Sequence, residues 1–156
     1  MTKRKLDEEL RLQPDNTSCG PIAIVNAYKH IHRKFPKISI KRIRSICETN
    51  NIYGTFRWNI TNTSLIDMSK KPIYDIKKIM NQDKFILLYS FSEYSQHYVY
   101  VIQDQKHKIY YIYNYYNPEL DKYEHTSMNA SDFMNLLKNN PRCSNDLDYP
   151  LAWNIL

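Results

Sequence analysis

Three short apolar, β-favouring runs crowd into residues 85–113, and they constrain the fold more than any other feature of the chain. Residues 85–91, Phe85-Ile-Leu-Leu-Tyr-Ser-Phe, read as a buried strand. A polar break over 92–96 leads to a second strand over 97–103. After a turn at 103–108 a third strand runs over 109–113. Parallel neighbours need a crossover of about a dozen residues or more, and these breaks are too short. The second and third runs therefore pair as an antiparallel hairpin, and the three form a meander. A last run over 151–155 is expected to close the sheet.

The sequence before the meander has helical spacing. Residues 13–18 read as a loop, with Pro14, Asp15, Asn16 and Thr17 as turn formers. A helix should begin near Cys19, capped by Ser18 or Thr17. Pro21 suits its first turn, where a missing N–H costs nothing. Ile22, Val25, Ala27, Tyr28 and Ile31 supply its apolar face, and it should fade before Pro36. A second helix is expected over 39–48 from Ile40, Ile43 and Cys47. Residues 49–58 read as loop, and 62–70 and 72–80 as two short helices. A further helix is expected over 131–138, capped by Ser131. Residues 1–12 are a polar lead-in, either a short strand or a loose tail. Helices followed by an antiparallel meander give the α+β class, in one domain spanning 1–156.

The formal charge of +6 raises the question of nucleic acid or an anionic membrane. Lys37, Lys41 and Arg44 can share a helix face, as can Lys70 and Lys77. The basic residues are nevertheless spread along the chain rather than massed, so nucleic acid is not expected as the main partner. Strand composition, rather than base stacking, accounts for most of the fourteen tyrosines. The abundance of Lys, Asn, Ile and Tyr fits an AT-rich virus or a low-GC bacterium. The three cysteines, Cys19, Cys47 and Cys143, make neither a disulfide framework nor a zinc motif. The charged N-terminus lacks the apolar core of a secretory signal, and no apolar run is long enough to span a bilayer. A reducing, intracellular compartment is the resulting expectation, and it would keep a thiol nucleophile reduced.

Cys19 is the first candidate for chemistry. A cysteine in the first turn of a helix meets unpaired N–H groups and the positive end of the helix dipole, and both favour thiolate. Gly20 permits close approach and Pro21 stiffens the turn. Such a nucleophile needs a histidine from another element. Of the five histidines, His30 and His32 fall late on the polar face of the same helix, His107 in a turn and His125 in a polar loop. Only His97 opens an apolar strand. Asn114, ending the antiparallel partner strand, can hold the His97 ring by its side-chain carbonyl. Asn117, followed by Pro118, is the alternative. Gln13, six residues before Cys19, can offer its side-chain NH2 to an oxyanion beside the Cys19 N–H. Cys47 and Cys143 read as bystanders.

The stretch Gln13-Pro-Asp-Asn-Thr-Ser-Cys-Gly-Pro, running into Ile-Ala-Ile-Val-Asn-Ala-Tyr, resembles the N-terminal motif of the papain-like peptidases that cleave double-glycine leader peptides. His97-Tyr-Val-Tyr-Val, followed by Tyr-Ile-Tyr-Asn114, resembles their second motif. The resemblance implies a papain-like fold, with the nucleophile helix packed on an antiparallel sheet. It makes Gln13 the oxyanion donor, Cys19 the nucleophile, His97 the base and Asn114 the orienting residue, with no metal or organic cofactor. Those peptidases usually carry Asp where Asn114 stands. No transporter or ATPase motif accompanies the two motifs, so their export role is not expected to carry over. The expected activity is hydrolysis of a peptide or isopeptide bond in a peptide or protein substrate. The same apparatus can serve a transamidase. Two alternatives lie in other classes: a catalytically inactive papain-like module that binds a peptide or protein partner, and a basic nucleic-acid-associated factor.

Overall fold

A computed structural model describes residues 9–51, 54–60, 63–92, 95–139 and 150–156. The helix α1 spans Cys19–His32 and α2 spans Ile40–Ile46. Two short helices follow, α3 at Arg57–Ile60 and α4 at Ile76–Met80. The strands are β1 (Lys84–Ser92), β2 (Ser95–Asp104), β3 (Ile109–Asn117) and β4 (Lys122–Asn129). The helix α5 (Ala130–Lys138) and strand β5 (Leu151–Asn154) complete the order. The five strands form one sheet in the order β4-β3-β2-β1-β5, and every pair is antiparallel. The architecture is α+β. Among the described residues, no helix is long and apolar enough to cross a membrane.

The runs in β1 to β3 are apolar almost without a break because the sheet is covered on both faces. On one face Ile86, Leu88, Tyr98, Tyr100, Tyr111, Tyr113 and Trp153 pack with Ala23, Ile24 and Ala27 of α1 and Ile43 of α2. On the other, Phe85, Leu87, Val99, Val101, Tyr110 and Ile112 pack with Ile79 of α4 and Phe133 and Leu137 of α5. Each fully buried side chain of this size contributes roughly 1.5–3 kcal/mol. Roughly the first two and a half turns of α1 are buried on every side, from Cys19 to Ala27. Ile31, expected on its apolar face, is 37% exposed. His30, expected on the polar face, instead meets the Tyr100 hydroxyl through Nδ1 at 3.0 Å.

Several boundaries differ from those expected. Residues 63–70 form no helix. Met68 and Ile73 make isolated bridges to Ile155 and Ala152, so this segment runs extended along the free edge of β5 and covers it. Only the end of 72–80 is helical, starting after Asp75, whose carboxylate accepts from the Lys77 N–H. The cap of α5 is Asn129, which accepts from the Asp132 N–H at 2.8 Å, rather than Ser131. The lead-in is not loose where it is described. Asn26, fully buried on α1, accepts from the Arg11 N–H at 2.7 Å and donates to the Arg11 carbonyl at 2.9 Å. Residues 1–8 and Cys143 lie outside the described residues. The strand β4, expected as polar loop, is an edge strand whose polar composition suits its position.

Candidate functional site

The candidate residues gather where α1 begins, where β2 begins and where β3 breaks register. Gln13 is 7% exposed, Cys19 6%, His97 2% and Asn114 0%. Each has to be accounted for by its partners, because a buried polar group without one costs about 1–3 kcal/mol.

Cys19 is the first residue of α1. Ser18 stands at the N-cap, but its side chain makes no capping hydrogen bond. Its hydroxyl is drawn away, donating to Asp15 Oδ2 at 2.9 Å and accepting from Arg44 Nη1 at 2.5 Å. The first N–H groups of α1 are thus left to the thiol. Burial pushes the Cys19 thiol up to about 11, and the N–H groups of Tyr98, Gly20 and Cys19 itself pull it down without prevailing. Cys47, at the C-terminal end of α2, is pushed up to about 12 by burial alone.

Arg44 keeps the loop before α1 in shape. It reaches Thr17 Oγ1 at 3.1 Å, Ser18 Oγ, Asp15 Oδ1 at 3.7 Å and Asn51 Oδ1 at 2.5 Å. It is therefore not part of a solvent-facing basic stripe with Lys37 and Lys41. Gly20 is required by close approach. A Cβ there would meet Thr55 Oγ1 at 2.6 Å and Thr55 Cβ at 2.9 Å. Thr55 is held in place by its carbonyl, which accepts from the Tyr98 hydroxyl at 2.8 Å.

Asn114 sits in the left-handed region at φ +69°, inside a register shift between Ile112 and Tyr115 in the β3–β4 pairing. This bulge aims its backbone and side chain in different directions. The side chain grips Gln13 twice. Asn114 Nδ2 donates to Gln13 Oε1 at 2.7 Å, and Asn114 Oδ1 accepts from the Gln13 N–H at 3.0 Å. Gln13 Nε2 donates one hydrogen to the Asp15 carbonyl at 2.5 Å, which leaves its second for another acceptor. The Asn114 main-chain carbonyl accepts from His97 Nε2 at 2.5 Å. The structure thus corrects the expectation that the Asn114 side chain orients the imidazole. The backbone does so, because the side chain is committed to Gln13.

With Nε2 donating to a carbonyl, His97 carries its proton there and Nδ1 is the basic nitrogen. The ring lies edge-on to Tyr89 at 5.8 Å and to Phe91 at 6.3 Å, and is stacked on Tyr123 at 5.5 Å. Burial in this aromatic surround pushes the imidazole down to about 4, against the pull of the Asn114 carbonyl. Cys19 shares the surround, since an ionised Cys19 would oppose ionisation of both Tyr89 and Tyr123. Among the described residues no hydrogen bond joins the Cys19 thiol to the His97 ring. The resting site holds a neutral thiol and a neutral imidazole.

Asn117 plays a different part. Its Oδ1 accepts from the Glu119 and Leu120 N–H groups at 3.0 and 3.3 Å, and its Nδ2 donates to Glu124 Oε1 at 2.9 Å. It shapes the β3–β4 turn and does not reach His97. His107 pairs with Asp104 at 2.9 Å in the β2–β3 turn. His125, read from the sequence as a loop residue, lies on β4 and accepts the Asn114 N–H through Nδ1 at 3.1 Å. Sequence reasoning missed Tyr123 and His125 together. A signal was present in the turn formers Asn117 and Pro118 and in Thr126, which suits a returning strand. No protein-family model and no curated protein matches this chain.

Proposed function

We propose that this protein is a thiol hydrolase of papain-like type, cleaving a peptide or isopeptide bond by nucleophilic attack of Cys19. One observation carries the reading. Residues from three distant segments meet through Asn114, which bonds Gln13 on one side and His97 on the other, while the Cys19 thiol faces the N–H of Tyr98, the neighbour of His97.

In the proposed reaction a substrate carbonyl lies against Cys19. His97 Nδ1 takes the thiol proton as Sγ bonds to the carbonyl carbon. The oxyanion accepts from the Cys19 N–H and the second Nε2 hydrogen of Gln13. The His97 proton passes to the departing amine as the C–N bond breaks, leaving a thioester. Water, deprotonated by His97, then attacks the thioester and releases the acid and the thiol. Asn114 fixes the imidazole tautomer through its carbonyl and Gln13 through its side chain.

A second reading is favoured by the closed resting site, with its neutral pair and buried thiol: a papain-like module that binds a peptide without cleaving it. Incubation with a peptide library, read by mass spectrometry, separates the two. Hydrolysis lost in Cys19→Ala and in His97→Ala supports the hydrolase. Peptides retained intact by both wild type and variants would replace it with the binding module.

A further inference from the structure

His125 takes no part in the reaction proposed above, yet it grips the backbone on which that reaction depends. Its Nδ1 accepts the Asn114 N–H at 3.1 Å, and its Nε2 meets the Leu10 carbonyl at 2.7 Å. The ring is T-shaped to Tyr113, with centroids 5.2 Å apart. These partners fix the tautomer. Nε2 must carry the hydrogen to satisfy a carbonyl, and Nδ1 must be bare to receive an N–H.

The position of this contact matters more than its strength. Asn114 is held at φ +69° within a bulge, a left-handed conformation that asparagine tolerates better than most residues and that its hydrogen-bond partners fix here. The same peptide region presents the carbonyl that receives His97 Nε2–H and the side chain that binds Gln13. Three contacts define the conformation of Asn114, and His125 supplies the one made by its N–H. Through Leu10, His125 also ties the segment before Gln13 to β4. Arg11, next in sequence, is fastened to Asn26 of α1.

We propose that His125 is a positioning residue of the candidate site. It acts through the Asn114 bulge to set the tautomer and orientation of His97. The proposal rests on the thiol-hydrolase reading for its catalytic consequence, but its structural content can be measured separately.

Two substitutions divide the two ends of the ring. In His125→Asn, Oδ1 takes the place of Nδ1 and can still accept the Asn114 N–H. In His125→Gln, Nε2 replaces the distal donor and can still reach Leu10, while the acceptor for Asn114 is lost. His125→Phe removes both. Leu137→Ala, in the core on the α5 side of the sheet, controls for general destabilisation.

The first readout is the NMR signal of the His97 Nε2–H, assigned by its loss in His97→Ala. The second is the rate at which a peptidyl electrophile labels Cys19. The expected result is that His125→Asn and Leu137→Ala keep the His97 signal, with labelling within about twofold of wild type. His125→Gln and His125→Phe should lose the signal, with labelling slowed about tenfold, as for one misplaced hydrogen-bonded group. Equal behaviour of the Asn and Gln variants would overturn the proposal, as would a His97 signal that is absent from wild type or persists in His125→Gln. If wild type is not labelled at all, the hydrolase reading falls, and the His97 signal alone still decides the role of His125.

Discussion

Gln13 and Asn114, 101 positions apart, are joined by a pair of hydrogen bonds: the Gln13 main-chain N–H donates to Asn114 Oδ1, and Asn114 Nδ2 donates to Gln13 Oε1. The geometry specifies an amide at position 114. A carboxylate there could still accept the Gln13 N–H, but its other oxygen would face Gln13 Oε1. Turning the Gln13 amide over would then set Oε1 against the Asp15 carbonyl.

Asn114→Asp is therefore expected to destabilise the fold by about 1–3 kcal/mol at pH 8 and by less near pH 4, where the new carboxyl can be protonated and donate. Urea denaturation at the two pH values measures it. An equal loss relative to wild type at both would mean that the Gln13–Asn114 pair is not formed as described.

The depressed basicity of His97 gives a stability effect of definite sign. Its imidazole is ordinary in the unfolded chain, near 6.5, and pushed down to about 4 in the fold. Between those values the unfolded chain holds the proton and the folded one does not, so stability rises with pH. The contribution is complete above about 6.5 and is lost as pH falls through the folded value, up to about 3 kcal/mol in all. Denaturation midpoints at pH 4.5 and 7.5 should differ in wild type, and His97→Phe should remove a large share of the difference.

Much of the fold was legible because its signals were local. Cys19 opens α1 as the turn formers and Pro21 required, and the three apolar runs became β1, β2 and β3 in antiparallel order. β4 was illegible for a physical reason. An edge strand with one half-exposed face needs no apolar run, so Lys122–Asn129 looked like loop. With it went Tyr123 and His125, which complete the surroundings of His97 and Asn114. The candidate site was legible as a set of residues but not in its wiring. Which end of Asn114 meets His97 depends on a bulge, and a bulge set by two strands leaves no mark in either one alone.

Gly20 tests the packing at the start of α1. Gly20→Ala places a methyl group 2.6 Å from Thr55 Oγ1 and 2.9 Å from Thr55 Cβ. The expected cost is about 1–3 kcal/mol from overpacking. Adding Thr55→Ala relieves only the closer of the two clashes and also removes the Thr49–Thr55 hydroxyl contact. A double-mutant cycle should therefore show favourable coupling with incomplete recovery. Additive effects would mean that the two residues do not touch.

The resting state of Cys19 makes the last prediction, and it separates this site from one holding a preformed ion pair. In a thiolate–imidazolium pair the sulfur is reactive well below neutral pH. Here burial pushes the thiol up to about 11 and the imidazole down to about 4, so neither group is charged at pH 7. A small electrophile such as iodoacetamide should then modify Cys19 slowly at neutral pH, with a rate that climbs towards the alkaline limit and no plateau near pH 6. In the proposed reaction a peptidyl electrophile would bring its own carbonyl to the Gln13 and Cys19 donors and place its reactive carbon beside the sulfur. Proton transfer to His97 then accompanies attack instead of preceding it. That reagent should label Cys19 about a hundredfold faster than iodoacetamide at pH 7, the range expected of positioned general-base catalysis. His97→Ala should remove the advantage. Rapid labelling by iodoacetamide at pH 6 would instead establish an ion pair already present before any peptide is bound, and with it a resting site more open than the one described.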